Sequence, residues 1–291
     1  MLTQIGPRLP DWLRKPWRDA QADHAVKRLM RERDLHTVCE SARCPNRNEC
    51  FSRGTATFMI GGNICTRHCA FCSVPAGRPE SYDAIAGEPE QVADAAAEMG
   101  LQYVVVTAVA RDDLADGGAR HFARTIHALR DRLPDARVEV LTPDFGGSDE
   151  HVGIVVEAGP DVFNHNVETV RRLSPVVRSR SDHDRSLNVL KSAAGMNPSM
   201  LVKSGLMVGL GETTDEVHEL LGELRDNGVH AVTIGQYLQP TRRNLPVVDY
   251  VHPDTYDEYR SYGESLGFDA VFAGPFVRSS YMAESVFEDH R

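Results

Sequence analysis

The sequence predicts an α/β fold, a partial (βα)6 TIM-like barrel, on three observations. From residue 55 onward, short runs of β-branched and aromatic residues alternate with amphipathic stretches of helical period. Proline near the start and glycine at the end punctuate those helical stretches where boundaries belong. Strand, loop and helix recur six times in about 180 residues, which suits a barrel or partial barrel with reactive groups on loops at the C-terminal ends of its strands. The same alternation also allows a doubly wound open sheet.

Taken in chain order, strands are expected at residues 55–60, 103–107, 137–141, 161–164, 201–208 and 230–236. The helical stretch that opens on Glu88 and Pro89 stops at Gly100, and the stretch 213–227 has Thr213 or Thr214 as its cap and Gly228 as its stop. Residues 1–54 stand outside the alternation as an N-terminal extension. In it Ala22, Ala25, Val26, Leu29 and Met30 share one helical face, which is expected to pack on the barrel. The barrel is assigned to residues 55–267. Residues 268–291 form a C-terminal segment with a short apolar run at 270–273 and a tail.

Composition narrows the function classes. Thirty-two Lys and Arg against 42 Asp and Glu give a formal net charge of -10, the wrong sign for a chain that tracks phosphate backbones, so nucleic acid is not an expected partner. Residues 1–11 carry Pro7 and Pro10 and no signal-like apolar core, and no stretch approaches the roughly 20 apolar residues of a membrane span. A soluble, cytoplasmic protein is expected. There disulfides are reduced, and six cysteines confined between Cys39 and Cys72 could not staple the whole chain in any case.

Those cysteines form two triplets. Cys65-x3-Cys69-x2-Cys72 follows the first strand and its Gly61-Gly62 turn, so three thiolates converge in one loop at a strand's C-terminal end. A cubane 4Fe-4S cluster takes four ligands; three cysteines leave one iron open to bind a substrate. Structural zinc also needs four Cys or His ligands, commonly in two pairs, and His68, between two of the cysteines, has poor reach for the fourth place. The other triplet, Cys39-x4-Cys44-x5-Cys50, is the less common in spacing.

The run Cys65-Thr-Arg-His-Cys69-Ala-Phe71-Cys72, aromatic just before its last cysteine, resembles the signature of the radical S-adenosylmethionine superfamily. Cys39-Glu-Ser-Ala-Arg-Cys44-Pro-Asn46 resembles the auxiliary-cluster motif of the lipoyl synthases. The likeness continues through Arg111-Asp-Asp-Leu, Asp116-Gly-Gly-Ala119, Asn164-His-Asn-Val-Glu168, Gly209-Leu-Gly-Glu-Thr213 and Gln236-Tyr-Leu-Gln-Pro240, and ends at Gly274-Pro-Phe-Val-Arg278-Ser-Ser-Tyr281. It covers nearly the whole chain.

The resemblance implies two 4Fe-4S clusters and S-adenosyl-L-methionine as cofactors. One cluster sits on Cys65, Cys69 and Cys72, its open iron chelated by the amino and carboxylate groups of S-adenosylmethionine. Reduction of that cluster then cleaves the sulfonium to methionine and a 5'-deoxyadenosyl radical. The auxiliary cluster sits on Cys39, Cys44 and Cys50, with Ser280 of Arg-Ser-Ser-Tyr as fourth ligand; Ser280 and the first-named three cysteines are the catalytic set. By the same resemblance Asn166, Glu168, Arg178, Gly209 and Gly211 contact S-adenosylmethionine. The implied reaction puts sulfur at C6 and then C8 of an octanoyl group amide-linked to a lysine of a lipoyl carrier domain, one S-adenosylmethionine being consumed per insertion and the auxiliary cluster supplying both sulfurs. No protein base can take hydrogen from an unactivated methylene, which is why a radical is required and the cofactor carries the step.

Implied partners are octanoylated lipoyl domains of 2-oxoacid dehydrogenase E2 subunits and glycine cleavage H protein, with reduced ferredoxin or flavodoxin as electron donor. The chain departs from the family pattern at Arg171, at Ser179 after Arg178, and at His183, all in one loop. Biotin synthases and methylthiotransferases also insert sulfur but are not expected to combine an N-terminal Cys-x4-Cys-x5-Cys with a C-terminal Arg-Ser-Ser-Tyr. A ferredoxin-like carrier would need closed four-cysteine sites.

Overall fold

The computed structural model of the chain describes residues 8–14, 20–53, 55–178, 180–281 and 283–284, with the backbone alone for 20–23. Residues 1–7, the side chain of Ala22 and Ser179 therefore lie outside the described residues.

One eight-stranded sheet runs in chain order. β1 (His36–Thr37) is antiparallel to β2 (Thr57–Ile60), and from there every pairing is parallel through β3 (Tyr103–Ala108), β4 (Arg137–Leu141), β5 (Val162–Asn164), β6 (Leu201–Val208), β7 (Ala231–Gln236) and β8 (Ala270–Gly274). The six expected strands are β2 to β7. The sequence reading missed β1 and β8, one at each edge. Two residues are too few to show alternation, and the apolar run at β8 has no polar partner positions to mark a strand. Because strand order follows chain order and β8 pairs with β7 alone, the barrel is partial, open between β8 and β1.

The extension contributes α1 (Ala20–Glu32), α2 (Val38–Ser41) and α3 (Arg47–Ser52). Six helices cross between the parallel strands: α4 (Glu88–Glu98), α5 (Ala119–Arg132), α6 (Asp149–Glu157), α8 (His183–Met196), α9 (Thr214–Asp226) and α10 (Pro253–Ser265), while α7 (Ser174–Val177) is a single turn before α8. Thr213 caps α9 in a full capping box with Glu216. In α1, Val26, Leu29 and Met30 are buried in the main core as expected, but Ala25 is exposed, because the buried stripe of this helix begins one residue later.

Alternation sets what each strand offers to each side. Val104, Val106, Val138, Val140, Val202, Val232 and Ile234 enter the core with α4 residues Val92 and Ala96, α5 residues Phe122 and Ile126, and α9 residues Leu220 and Leu224. The intervening residues face the barrel interior, where Lys203 Nζ of β6 meets both carboxylate oxygens of Glu139 of β4 at 3.1 and 3.2 Å. Strands two places apart share this pair across the concave side of the sheet.

β2 ends in Gly61 and Gly62, both in the left-handed region at φ +83° and +85°, which turns the chain into the cysteine loop. Their amides have no strand partner. Buried Glu88, at the start of α4, accepts from Gly61 N at 2.7 Å and Gly62 N at 3.4 Å, and His121 Nε2 donates to the same carboxylate at 2.6 Å. Replacing Glu88 by Ala strands those donors away from water, and the expected cost is about 2–3 kcal/mol of stability. Urea unfolding of Glu88→Ala beside the parent chain measures it, and an unchanged midpoint would contradict the assignment.

Candidate active site

The loop after β2 carries Cys65, Cys69 and Cys72, and its backbone is fixed from three directions. Cys65 N and O bond Pro75 O at 2.8 Å and Gly77 N at 2.9 Å; Thr66 N bonds Ala110 O at 3.0 Å; Ala70 N bonds Val177 O at 2.9 Å. Asn244, in the loop after β7, donates to the carbonyls of Ala70 and Cys72 at 3.2 and 2.8 Å. Within the loop Arg67 is buried and braced, its Nε and Nη2 on Asp112 and its Nη2 on Asp144 at 2.6 Å. Burial alone would raise the Asp144 carboxyl, yet hydrogen bonding and charge from Arg67 outweigh it and bring it down to about 2.

All three cysteines open on a cavity of about 480 Å³, within the range of small-molecule sites. Its wall takes residues from the C-terminal ends of β3, β4, β6 and β7 and from the loop after β5. That loop supplies His165, Asn166 and Glu168. Glu168 sits at φ +65°, a costly conformation for a side chain with a Cβ, held there by Glu168 N to Gly205 O at 3.0 Å and Met207 N to Glu168 O at 2.8 Å. These bonds hold residue 168 against β6 at the cavity wall.

Arg178 also lines the cavity and is buried, with Nη1 on Val167 O at 2.9 Å and on Ser186 Oγ at 3.1 Å. Its charge reaches both Glu168 and Cys69. Burial raises the Glu168 carboxyl and lowers Arg178, and each opposes the shift of the other. His165, fully enclosed, is drawn down to about 4 by burial and then by Arg178; its Nδ1–H donates to Thr142 O at 2.8 Å. By contrast Arg171 is a surface residue paired with Asp184 and Glu223, and His183 also bonds Glu223.

Gly209 and Gly211 stand outside this lining. A Cβ on Gly209 would lie 2.1 Å from Gln236 Nε2 and 2.5 Å from Asp249 O, so close packing alone accounts for that glycine. Glu212 caps the turn by accepting from Gly209 N and Leu210 N.

A second, smaller cavity of about 50 Å³ is lined by Cys39, Cys44, Cys50, Arg278 and Ser280 together with the starts of β2 and β3. Cys39, Cys44 and Ser280 line the larger cavity as well, so the two spaces share a wall. The tail reaches this place by crossing from β8 to the extension: Asn46 Nδ2 donates to Phe276 O at 2.7 Å and Tyr281 OH to Glu49 at 3.1 Å. Among the described residues no three His, Cys, Asp or Glu side chains are close enough together to hold a single ion.

The donor sets suit thiolate-bound iron. Burial pushes Cys69 up to about 11, Cys72 up to about 12 and Cys39 up to about 11. Thiols of that kind surrender the proton only to a cation that takes the thiolate, so metal binding and deprotonation are coupled.

Comparison with known proteins fixes the family. A model of the radical SAM superfamily matches residues 59–224. A lipoyl synthase of Caldicellulosiruptor saccharolyticus is 52% identical over 275 residues, 94% of this chain and 96% of the other. One of Symbiobacterium thermophilum is 53% identical over 277 residues, 95% and 86% of the two chains.

The chain belongs to the lipoyl synthase family. It is a radical S-adenosylmethionine enzyme of lipoyl cofactor biosynthesis, and a 4Fe-4S cluster and S-adenosylmethionine are the cofactors of that superfamily. Solved structures agree on the fold: methylornithine synthase, at 13% identity, superposes with a TM-score of 0.55 over 86% of this chain and 81% of its own. Coproporphyrinogen III oxidase of Escherichia coli, at 15% identity, gives 0.56 over 72% and 52%. Among the described residues no helix is long and apolar enough to cross a membrane.

The raised thiols of this lipoyl synthase family member carry a pH consequence for the metal-free chain. A thiol whose folded value lies above its ordinary value near 9 keeps its proton in the folded chain while the unfolded chain has lost it, so stability falls as pH rises from 9 toward 11. Urea unfolding of the metal-free chain across that window is expected to show the fall, and Cys69→Ala with Cys72→Ala to make it shallower, Cys39 keeping its share. An identical slope in both would contradict the burial assignment.

Proposed function

We propose that this chain inserts two sulfur atoms, at C6 and then at C8, into an octanoyl group amide-linked to a lysine of a lipoyl carrier domain. The sulfur comes from an auxiliary 4Fe-4S cluster on Cys39, Cys44, Cys50 and Ser280. The observation that carries the reading is the shared wall: Cys39, Cys44 and Ser280 line the same cavity as Cys65, Cys69 and Cys72. A substrate carbon activated beside one triplet is then within the same enclosure as sulfur held by the other.

When bound, the cluster on Cys65, Cys69 and Cys72 and S-adenosylmethionine supply the one-electron chemistry that abstracts hydrogen from an unactivated methylene, and the auxiliary cluster supplies sulfide. The rest falls to side chains. Cys65, Cys69 and Cys72 would hold their cluster at the cavity wall. Glu168 suits the paired hydroxyls of a ribose, Asn166 donates beside it, and the Arg178 guanidinium suits a carboxylate. Met59, Val74, Leu141, Leu206 and Met207 give an apolar lining that accepts an alkyl chain and excludes water. A serine oxygen is a harder ligand than a thiolate, which favours release of the iron it holds when that cluster is consumed.

The proposed partners are octanoylated lipoyl domains of 2-oxoacid dehydrogenase E2 subunits and of glycine cleavage H protein, and a reduced ferredoxin or flavodoxin. The test is mass spectrometry of an octanoylated lipoyl domain incubated with the reconstituted enzyme, dithionite and S-adenosylmethionine. The parent enzyme is expected to hold about eight irons and to add two sulfurs. Cys65→Ala is expected to abolish both sulfur addition and 5'-deoxyadenosine, whereas Cys39→Ala keeps 5'-deoxyadenosine formation and loses the sulfurs. Dithiolated product from Cys39→Ala would overturn the assignment of the sulfur source.

A further inference from the structure

Lys203 and Glu139 are enclosed in the barrel interior, 1% and 0% exposed at the side chain. Removing two charges from water costs several kcal/mol for each ion, and a packed apolar pair often serves stability as well or better. Glu139 is satisfied within the sheet: Tyr103 OH donates to it at 2.7 Å, Asn164 Nδ2 at 2.9 Å, and Lys203 to both oxygens. Lys203 has a further contact outside the sheet, donating to the carbonyl oxygen of Ser279 at 2.7 Å.

That carbonyl belongs to the tail segment that carries Ser280. The side chain of Ser279 is held as well, by Asn166 Nδ2 at 2.7 Å and Asn166 Oδ1 at 3.0 Å. Two interior positions of β6 and β7, Gly205 and Gly235, lack a side chain, with Thr233 opposite Gly205. A Cβ on Gly205 would lie 2.4 Å from Thr233 Oγ1, 2.9 Å from Asn166 Oδ1 and 3.0 Å from Ser279 Oγ, and one on Gly235 would lie 2.1 Å from the carbonyl oxygen of Val277. The strands thus provide a hydrogen-bond donor for the Ser279 carbonyl, and clearance at Gly205 and Gly235 for the Ser279 side chain and the Val277 backbone.

We propose that the interior of β6 and β7, with Lys203 on Glu139 as its anchor and Gly205 and Gly235 as its clearance, is a built seat that positions Ser280 at the auxiliary cluster. Lys203 is a positioning residue, acting on Ser280 through the backbone of Ser279. Asn166 ties the same seat to the other site, since its amide also donates to Glu168 at 3.2 Å. The inference rests on Ser280 being the fourth ligand of that cluster.

The test uses the full chain with Cys65, Cys69 and Cys72 replaced by Ala, so that only the auxiliary cluster assembles. The pair Lys203→Met with Glu139→Gln removes the anchor without leaving a lone buried charge. Ser280→Ala removes the ligand itself. After mild ferricyanide oxidation, the electron paramagnetic resonance signal of a three-iron cluster and the iron content report loss of the serine-bound iron. Both variants are expected to give about tenfold more three-iron signal than the background chain, the effect of losing a charge-assisted hydrogen bond or the ligand it places.

If Ser280→Ala behaves as the background, serine ligation itself fails. If Ser280→Ala loses iron and the paired variant does not, the seat alone fails. Should the paired variant not fold, Gly235→Ala displaces the tail at Val277 and is held to the same two results, with Gly222→Ala, whose Cβ would meet nothing within 4 Å, as its control.

Discussion

Parallel pairing of β2 through β8 in chain order is the constraint on which the rest depends. Strands that run the same way leave the sheet on the same side, so every loop that follows a strand is delivered to one end of the barrel. The cysteine loop after β2, Asp144 after β4, the run from His165 to Glu168 after β5 and Asn244 after β7 meet for that reason, although they are far apart in the chain. Each then braces another: Arg67 joins the cysteine loop to Asp144, and Asn244 holds the carbonyls of Ala70 and Cys72. The cavity is a product of topology first and of side-chain choice second.

The second consequence is the gap between β8 and β1. Here the tail turns back from β8, meets Lys203 and Asn166 within the barrel, and reaches Asn46 and Glu49 of the extension. Polar groups deep in a sheet are expensive, and these are balanced pairwise, carboxylate against ammonium and carbonyl against ammonium. In the proposed function this path is what lets a ligand from the end of the chain complete a site begun near its start.

Most of the fold was legible because the β-branched runs of strands such as β3 and β7 and the capping residues of α9 are local signals. The triplet spacing made Cys65, Cys69 and Cys72 legible in the same local way. β1 and β8 were not, since β1 has only two residues and the apolar run at β8 has no polar positions to mark a strand. Nor was the pairing of Ser279 with Asn166, which depends on contacts across 113 positions of sequence. Lys203 and Glu139 did leave a signal: each is a charge next to valine within a strand, Glu139 between Val138 and Val140 and Lys203 after Val202, and a charge in such a place is seldom buried without a partner. Asp144 and Asn244 left none, because a polar residue in a loop is the ordinary case.

The central claim is that the two triplets have unequal fates, one durable and one consumed. The direct measurement is a single turnover by enzyme whose clusters were built with sulfide of mass 34, in buffer holding only ordinary sulfide, followed by mass analysis of the lipoyl domain. Both inserted sulfurs are predicted to carry the heavy isotope, with none transferred by a chain in which Cys39, Cys44 and Cys50 are replaced by Ala. Product containing ordinary sulfur would contradict the account.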